Sequence, residues 1–169
     1  TLISSHFVKF LEVISMKNIL LIHTGGTISM QVNAETGAVV PSDSNPLLVE
    51  ADKLNSLAHI IELEIFNLPS PHITPFEMFR IKELIDQYID KGEIDGVVIT
   101  HGTDTLEETA YFLDLTIGPA IPIVLTGAMR SANEIGSDGL YNLVSAIQVA
   151  SSDDAVGKGV LVVLNDEIH

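Results

Sequence analysis

Four short stretches of this chain, residues 19–22, 96–100, 121–126 and 159–164, run almost without a polar residue and are rich in Val, Ile and Leu. None alternates between apolar and polar, so none has a face to show to water. Strands of that kind belong in a parallel sheet covered on both sides. Between them lie helical stretches at 104–115 and 138–150, and a further one begins at Pro75, where Met78, Ile81, Ile85 and Tyr88 recur at spacings of three and four. Gly92 is placed to end that helix. The alternation predicts an α/β fold: a three-layer domain with a mostly parallel sheet, helices on both faces and right-handed crossovers.

The intervening segments are less constrained. Residues 61–65, Ile-Glu-Leu-Glu-Ile, alternate as a strand with one wet face. Residues 47–57 are compatible with a helix, and residues 29–45, with Gly, Pro, Asn and Ser but no periodicity, read as a mobile loop. Residues 1–15 carry Ile3, Phe7, Phe10 and Ile14 along one helical face, but no initiator Met, basic leader or cleavage site. They are expected to be an extension outside the fold. Residues 16–169 then form one domain, since a chain that is 46% hydrophobic can bury one substantial core.

Composition removes several function classes. With 23 acidic and 8 basic residues, for a formal net charge of −15, the chain lacks the Lys and Arg that phosphate backbones demand, and no nucleic-acid partner is expected. No run approaches the roughly 20 apolar residues of a membrane span, so no membrane is expected either. There is no cysteine, which excludes disulfides and thiolate chemistry and fits a cytoplasmic protein.

In an open parallel sheet, ligands gather beyond the carboxyl ends of the strands. The segments there are 24–27, 68–70, 100–104, 126–128 and 165–166. With Thr105 just beyond the third of them, they hold seven hydroxyls, Thr24, Thr27, Ser70, Thr100, Thr103, Thr105 and Thr126, with an acid at Asp104 and glycines at 25, 26 and 102. Hydroxyls need a base or a positive neighbour to become nucleophiles, and glycines let backbone N–H groups approach a ligand or an oxyanion. Each residue alone has a plainer reading: Gly25-Gly26 as a turn, and Thr105 with Glu108 as a capping box. Their concentration on one edge favours a site.

Two of these segments are similar to a known family. His23-Thr24-Gly25-Gly26-Thr27-Ile28 and residues 96–113, GVVITHGTDTLEETAYFL, resemble the two threonine signatures of bacterial-type L-asparaginases. Residues 123–130, Ser137-Asp138-Gly139 and residues 159–169 resemble the same family, so the resemblance covers residues 17–169. It implies hydrolysis of L-asparagine to L-aspartate and ammonia through a threonine acyl-enzyme, with L-glutamine as a second substrate and no cofactor or metal. Thr27 matches the nucleophile, Thr103 the second threonine, and Asp104 the acid that works with Thr103 and holds the substrate's ammonium group. Ser70 matches the serine on the α-carboxylate, and Gly26 and Ala128 fall among the substrate-binding positions.

The family continues into a smaller second domain and assembles as a homo-oligomer, a homotetramer, so this chain is expected to be the amino-terminal domain only. Two family features are unfilled. No tyrosine occurs in residues 29–45, and the place expected for the triad lysine holds Asp153, with Lys158 the nearest lysine. The same resemblance leaves two other readings: a non-catalytic amino-acid-binding domain, and a tRNA-dependent amidotransferase subunit, against which the negative charge argues.

Overall fold

The computed structural model describes residues 16–33, 36–41, 54–118 and 120–169. The extension at 1–15 and most of the helix expected at 47–57 lie outside them. The apolar runs are all strands: β1 (Asn18–His23), β5 (Gly96–Thr100), β6 (Ile123–Thr126) and β7 (Val160–Leu164). They join β4 (His59–Glu64) and β8 (Glu167–Ile168) in a six-stranded sheet of order β4-β1-β5-β6-β7-β8. The first five are mutually parallel, and β8 turns back antiparallel on β7. The reversal is made by Asn165 (φ 50°) and Asp166 (φ 67°), a left-handed pair that Asn and Asp tolerate and that suits a two-residue hairpin. β2 (Met30–Val32) and β3 (Val39–Pro41) form a separate antiparallel pair.

Three helices described along their whole length cover the sheet. α1 (Pro75–Lys91) begins at the predicted proline, and its N-cap Thr74 and N3 Glu77 satisfy one another in a capping box. It stops at Gly92, whose φ of 66° a side chain would resist. α2 (Leu106–Thr116) packs with α1 on the face that presents Leu20, Ile22, Val97 and Ile99. α3 (Gly139–Ala150) packs on the opposite face against Ile19, Leu21, Val98 and Val124. Every one of these strand residues is fully buried, at about 1.5–3 kcal/mol of transfer free energy each.

The hand of one crossover departs from expectation. The steps β5→β6 and β6→β7 run the same way across the sheet, yet α2 and α3 lie on opposite faces. The two connections therefore have opposite hands. The step β4→β5 also runs that way and carries α1 on the α2 face, so β6-α3-β7 is the odd one out. With the other two taking the usual right-handed form, it is left-handed, a rare arrangement. The strands' carboxyl ends share an edge regardless, because the strands themselves are parallel.

The loop expected at 29–45 is corrected over its described part. Thr27–Ser29 forms a single 3-10 turn, and Met30–Val32 pairs antiparallel with Val39–Pro41. The first of these strands is pinned to the loop after β6 by Val32 N–H donating to Asn133 Oδ1 (2.8 Å) and Asn133 Nδ2 donating to Val32 O (2.9 Å). Strands of three residues are too short to betray a period in sequence. Residues 42–45 lie outside the described part.

Candidate functional site

Four of the five carboxyl-edge segments converge, and glycines set how closely. A methyl group on Gly25 would lie 2.5 Å from the Leu68 nitrogen, and one on Gly26 would lie 2.4 Å from Gly102 Cα. One on Gly102 would meet Ser70 Oγ at 2.7 Å, and one on Gly127 would meet His101 O at 2.6 Å and Thr103 Cγ2 at 3.0 Å. The turn after β1, the turn before α1 and the loops after β5 and β6 thus touch backbone to backbone. Thr27, Ser70, Thr103, Asp104 and Ala128 all lie on these touching segments.

Hydrogen bonding divides the seven hydroxyls. Thr24 Oγ1 donates to Thr100 O (2.8 Å), Thr126 Oγ1 to Val163 O (2.8 Å) and Thr105 Oγ1 to Ser70 O (2.8 Å), while Thr100 Oγ1 pairs with His23 Nδ1 (2.8 Å). These four tie strand ends and loops together. The expected Thr105–Glu108 capping box does not form: Thr105 makes no side-chain cap bond, and α2 starts at Leu106. Its hydroxyl serves tertiary structure instead. Among the described residues the hydroxyls of Thr27, Thr103 and Ser70 have no protein partner, and neither has the exposed Asp104 carboxylate. Ser70 is buried at 3% exposure and Thr27 and Thr103 are half-buried. Ala128 is also buried, its side chain in the core on the α3 face, so only its main chain can meet a ligand.

Two histidines inside the signatures, neither of them given a site role above, brace the edge. His23, at the end of β1, links Thr100 to Glu62, whose Oε1 lies 2.6 Å from His23 Nε2. His101 places Nδ1 2.8 Å from the Gly102 carbonyl and Nε2 2.9 Å from the Thr109 hydroxyl. A carbonyl only accepts, so Nδ1 carries the proton and Thr109 donates to Nε2. Burial holds the His101 pKa below its ordinary 6.5, outweighing the Gly102 carbonyl and the carboxylates of Glu108 and Glu107. When pH falls below about 6.5 the unfolded chain takes up a proton that the folded one refuses, so stability falls until the lower folded pKa is passed. Urea midpoints measured from pH 7.5 down to 5 should fall less steeply for His101→Gln than for the wild type.

The structure also corrects the triad-lysine position. Asp153 follows α3 at the amino-terminal edge and pairs with Lys17 just before β1 (2.9 Å). Lys158 likewise precedes β7. A five-residue strand spans about 16 Å, so neither residue reaches Thr103. Nor does Tyr141 replace the loop tyrosine: its hydroxyl donates to Asp166, and that hydrogen bond and the carboxylate's charge raise its pKa. A cleft of about 330 Å³ lined by Asp114, Lys158 and Gly159 opens at the amino-terminal edge, away from the candidate residues. Among the described residues no group of three or more His, Cys, Asp or Glu is placed to share a metal ion, and no helix is long and apolar enough to cross a membrane.

Fold and edge together define a doubly covered α/β domain with free threonine hydroxyls on glycine-closed loops at the strand ends. The chain belongs to the asparaginase family: residues 18–169 match the family's "Asparaginase, N-terminal" model. It is 44% identical over 154 residues to a probable L-asparaginase of Deinococcus radiodurans, covering 91% of this chain and 46% of that one. It is 40% identical over 157 residues to a glutaminase-asparaginase of Acinetobacter glutaminasificans, covering 89% and 47%. Among solved structures, a probable cytoplasmic L-asparaginase from Campylobacter jejuni superimposes with a TM-score of 0.83 at 39% identity, over 90% of this chain and 47% of that one. The chain spans about half the length of the curated relatives it matches.

Proposed function

We propose that this chain supplies the amino-terminal, catalytic-threonine half of a cytoplasmic amidohydrolase that converts L-asparagine to L-aspartate and ammonia, with L-glutamine as a weaker substrate. The observation that carries this reading is the meeting of Thr27, Ser70, Thr103 and Asp104, all unpartnered, on loops that the Gly26–Gly102 contact closes. In this reading Thr27 Oγ attacks the side-chain carboxamide carbon as its proton is withdrawn. The C–N bond breaks and ammonia leaves carrying that proton. Water then attacks the threonine ester, its oxygen passing to the new carboxyl group of aspartate and one of its protons returning to Thr27 Oγ as the C–O bond to the threonine breaks. Thr103 sits at the amino end of α2, where the helix dipole favours developing negative charge. Asp104 takes the substrate's α-ammonium and Ser70 its α-carboxylate.

A site open on a sheet edge is wet, and an oxyanion is best stabilised in a shaped cavity that excludes water. The remaining wall comes, in this reading, from a second domain and a neighbouring subunit of a homo-oligomer. The large side chains of Met129, Ile135 and Tyr141, exposed beside the edge, are suited to such a contact.

Ammonia release by the full-length protein with L-asparagine tests the reading. In the same assay Asp104→Asn should raise KM roughly ten- to hundredfold, since a charge-assisted hydrogen bond is worth about 1.5–3 kcal/mol. Asparagine binding without any ammonia release would instead make the chain an amino-acid-binding domain.

A further inference from the structure

We propose that Asp138 and Asn142 are positioning residues of this site, acting by clamping the two peptide groups that flank Ala128. The assignment rests on the hydrolase reading above. Asn142 lies in the first turn of α3 and is 1% exposed. Its Nδ2 donates to Gly127 O (3.0 Å) and to Asp138 Oδ2 (3.1 Å), and its Oδ1 accepts from the Asn165 N–H (3.1 Å). Asp138 accepts from the Met129 N–H through Oδ2 (3.0 Å) and from the Arg130 N–H through Oδ1 (3.0 Å). Although Asp138 is the N-cap of α3, its carboxylate makes no cap bond. It is given wholly to the loop after β6 and to Asn142.

The two side chains grip that loop on either side of one residue. The carbonyl of the Gly127–Ala128 peptide goes to Asn142, and the N–H of the Ala128–Met129 peptide goes to Asp138. Trans peptides point their C=O and N–H in opposite directions, and the described chain has no cis bond. The Ala128 N–H and C=O are therefore both turned away from the start of α3. Ala128 is 1% exposed, yet among the described residues neither of these groups has a protein partner. Buried backbone groups are paired in the great majority of cases, so this orphaned pair is suited to a ligand that carries both a donor and an acceptor. Asn142 also holds the Asn165 N–H, which locks the ends of β6 and β7 together and makes the orientation rigid. Because α3 follows β6, it starts beside the strand ends, which brings these side chains within reach.

The test uses the full-length protein with Asp138→Asn, Asp138→Ala and Asn142→Ala. Asp138→Asn keeps the volume but turns an NH2 against the Met129 or Arg130 N–H, so it disturbs the clamp with little risk to folding. kcat should fall about 10- to 100-fold in the alanine variants and about tenfold in Asp138→Asn, the range that a misplacement of about 1 Å produces. KM and competitive inhibition by L-aspartate should change less than threefold, because Asp104 and Ser70 still hold the amino-acid head. Ile147→Val, a core change on the same helix, should lower Tm while leaving kcat and KM as they are. Active wild-type protein with unchanged kcat in a folded Asp138→Asn variant would overturn the clamp alone. If KM and aspartate inhibition weakened in step with kcat, the two residues would be general supports of the loop and the positioning role would be lost. Wild-type protein releasing no ammonia would bring down the hydrolase reading, and the clamp with it.

Discussion

Replacing Thr27 by Ala in the full-length protein should lower asparagine turnover by a factor of about 10⁴ or more while asparagine still binds within a few-fold of its normal affinity. Loss of a nucleophile removes the covalent path, and deletions of that kind cost factors of this order. The hydroxyl is half-buried in the 3-10 turn after β1 and has no protein partner, so its removal strands no buried group and should cost little stability. Ground-state recognition rests on Asp104 and Ser70, which the substitution leaves untouched. Steady-state ammonia release, together with calorimetric titration of asparagine, checks both halves. Turnover within tenfold of the wild type would place the nucleophile elsewhere.

Gly26→Ala should be damaging in a different way, through structure first and catalysis as a result. Gly26 has φ 84° and ψ 179°, a combination that essentially only glycine adopts, so a Cβ there is strained by about 1–3 kcal/mol. That Cβ would also lie 2.4 Å from Gly102 Cα and 2.5 Å from Gly102 N. Both neighbours are backbone atoms, so relief requires the two threonine-bearing loops to part. Strain and overpacking together should cost about 3–5 kcal/mol, a Tm loss of roughly 6–20 °C for a domain of this size. Parting the loops should lower kcat/KM by about a hundredfold or more. Gly92→Ala is the control, also at a positive φ (66°) but in the milder left-handed helical region and with open space around the added methyl. It should lose about 1 kcal/mol and keep its activity. Equal Tm and kcat/KM in the two variants would show that the Gly26–Gly102 approach is unimportant.

Much of the scaffold was legible because its signals are local. Continuous Val, Ile and Leu runs can be buried on both sides only as interior strands, and Ile19, Leu20, Leu21 and Ile22 are buried accordingly. Pro75 and Gly92 bound α1 because each restricts or frees φ at its own position. The segments carrying Thr27, Ser70, Thr103 and Ala128 follow from strand direction alone, since residues just past parallel strands must share an edge.

Other features depend on partners far away in sequence. Seven hydroxyls look alike in the chain. Only the positions of the Thr100, Val163 and Ser70 carbonyls and of His23 show that four are ties and three are free. Thr105 has the spacing of a cap but finds a better-placed acceptor 35 residues away. The hand of β6-α3-β7 and the Asp138–Asn142 grip on the loop after β6 likewise carry no local mark.

The sequence by itself thus determined the layers, the strand direction and the edge on which chemistry can gather, because burial period and turn chemistry are properties of neighbouring residues. Only the tertiary structure decided which hydroxyls on that edge are free, how closely the loops approach and which side chains hold them. It also put Asp153 beside Lys17 at the opposite edge, where it cannot serve Thr103. Those choices rest on hydrogen bonds and backbone contacts between segments tens of residues apart, and such contacts come into being only when the sheet has closed.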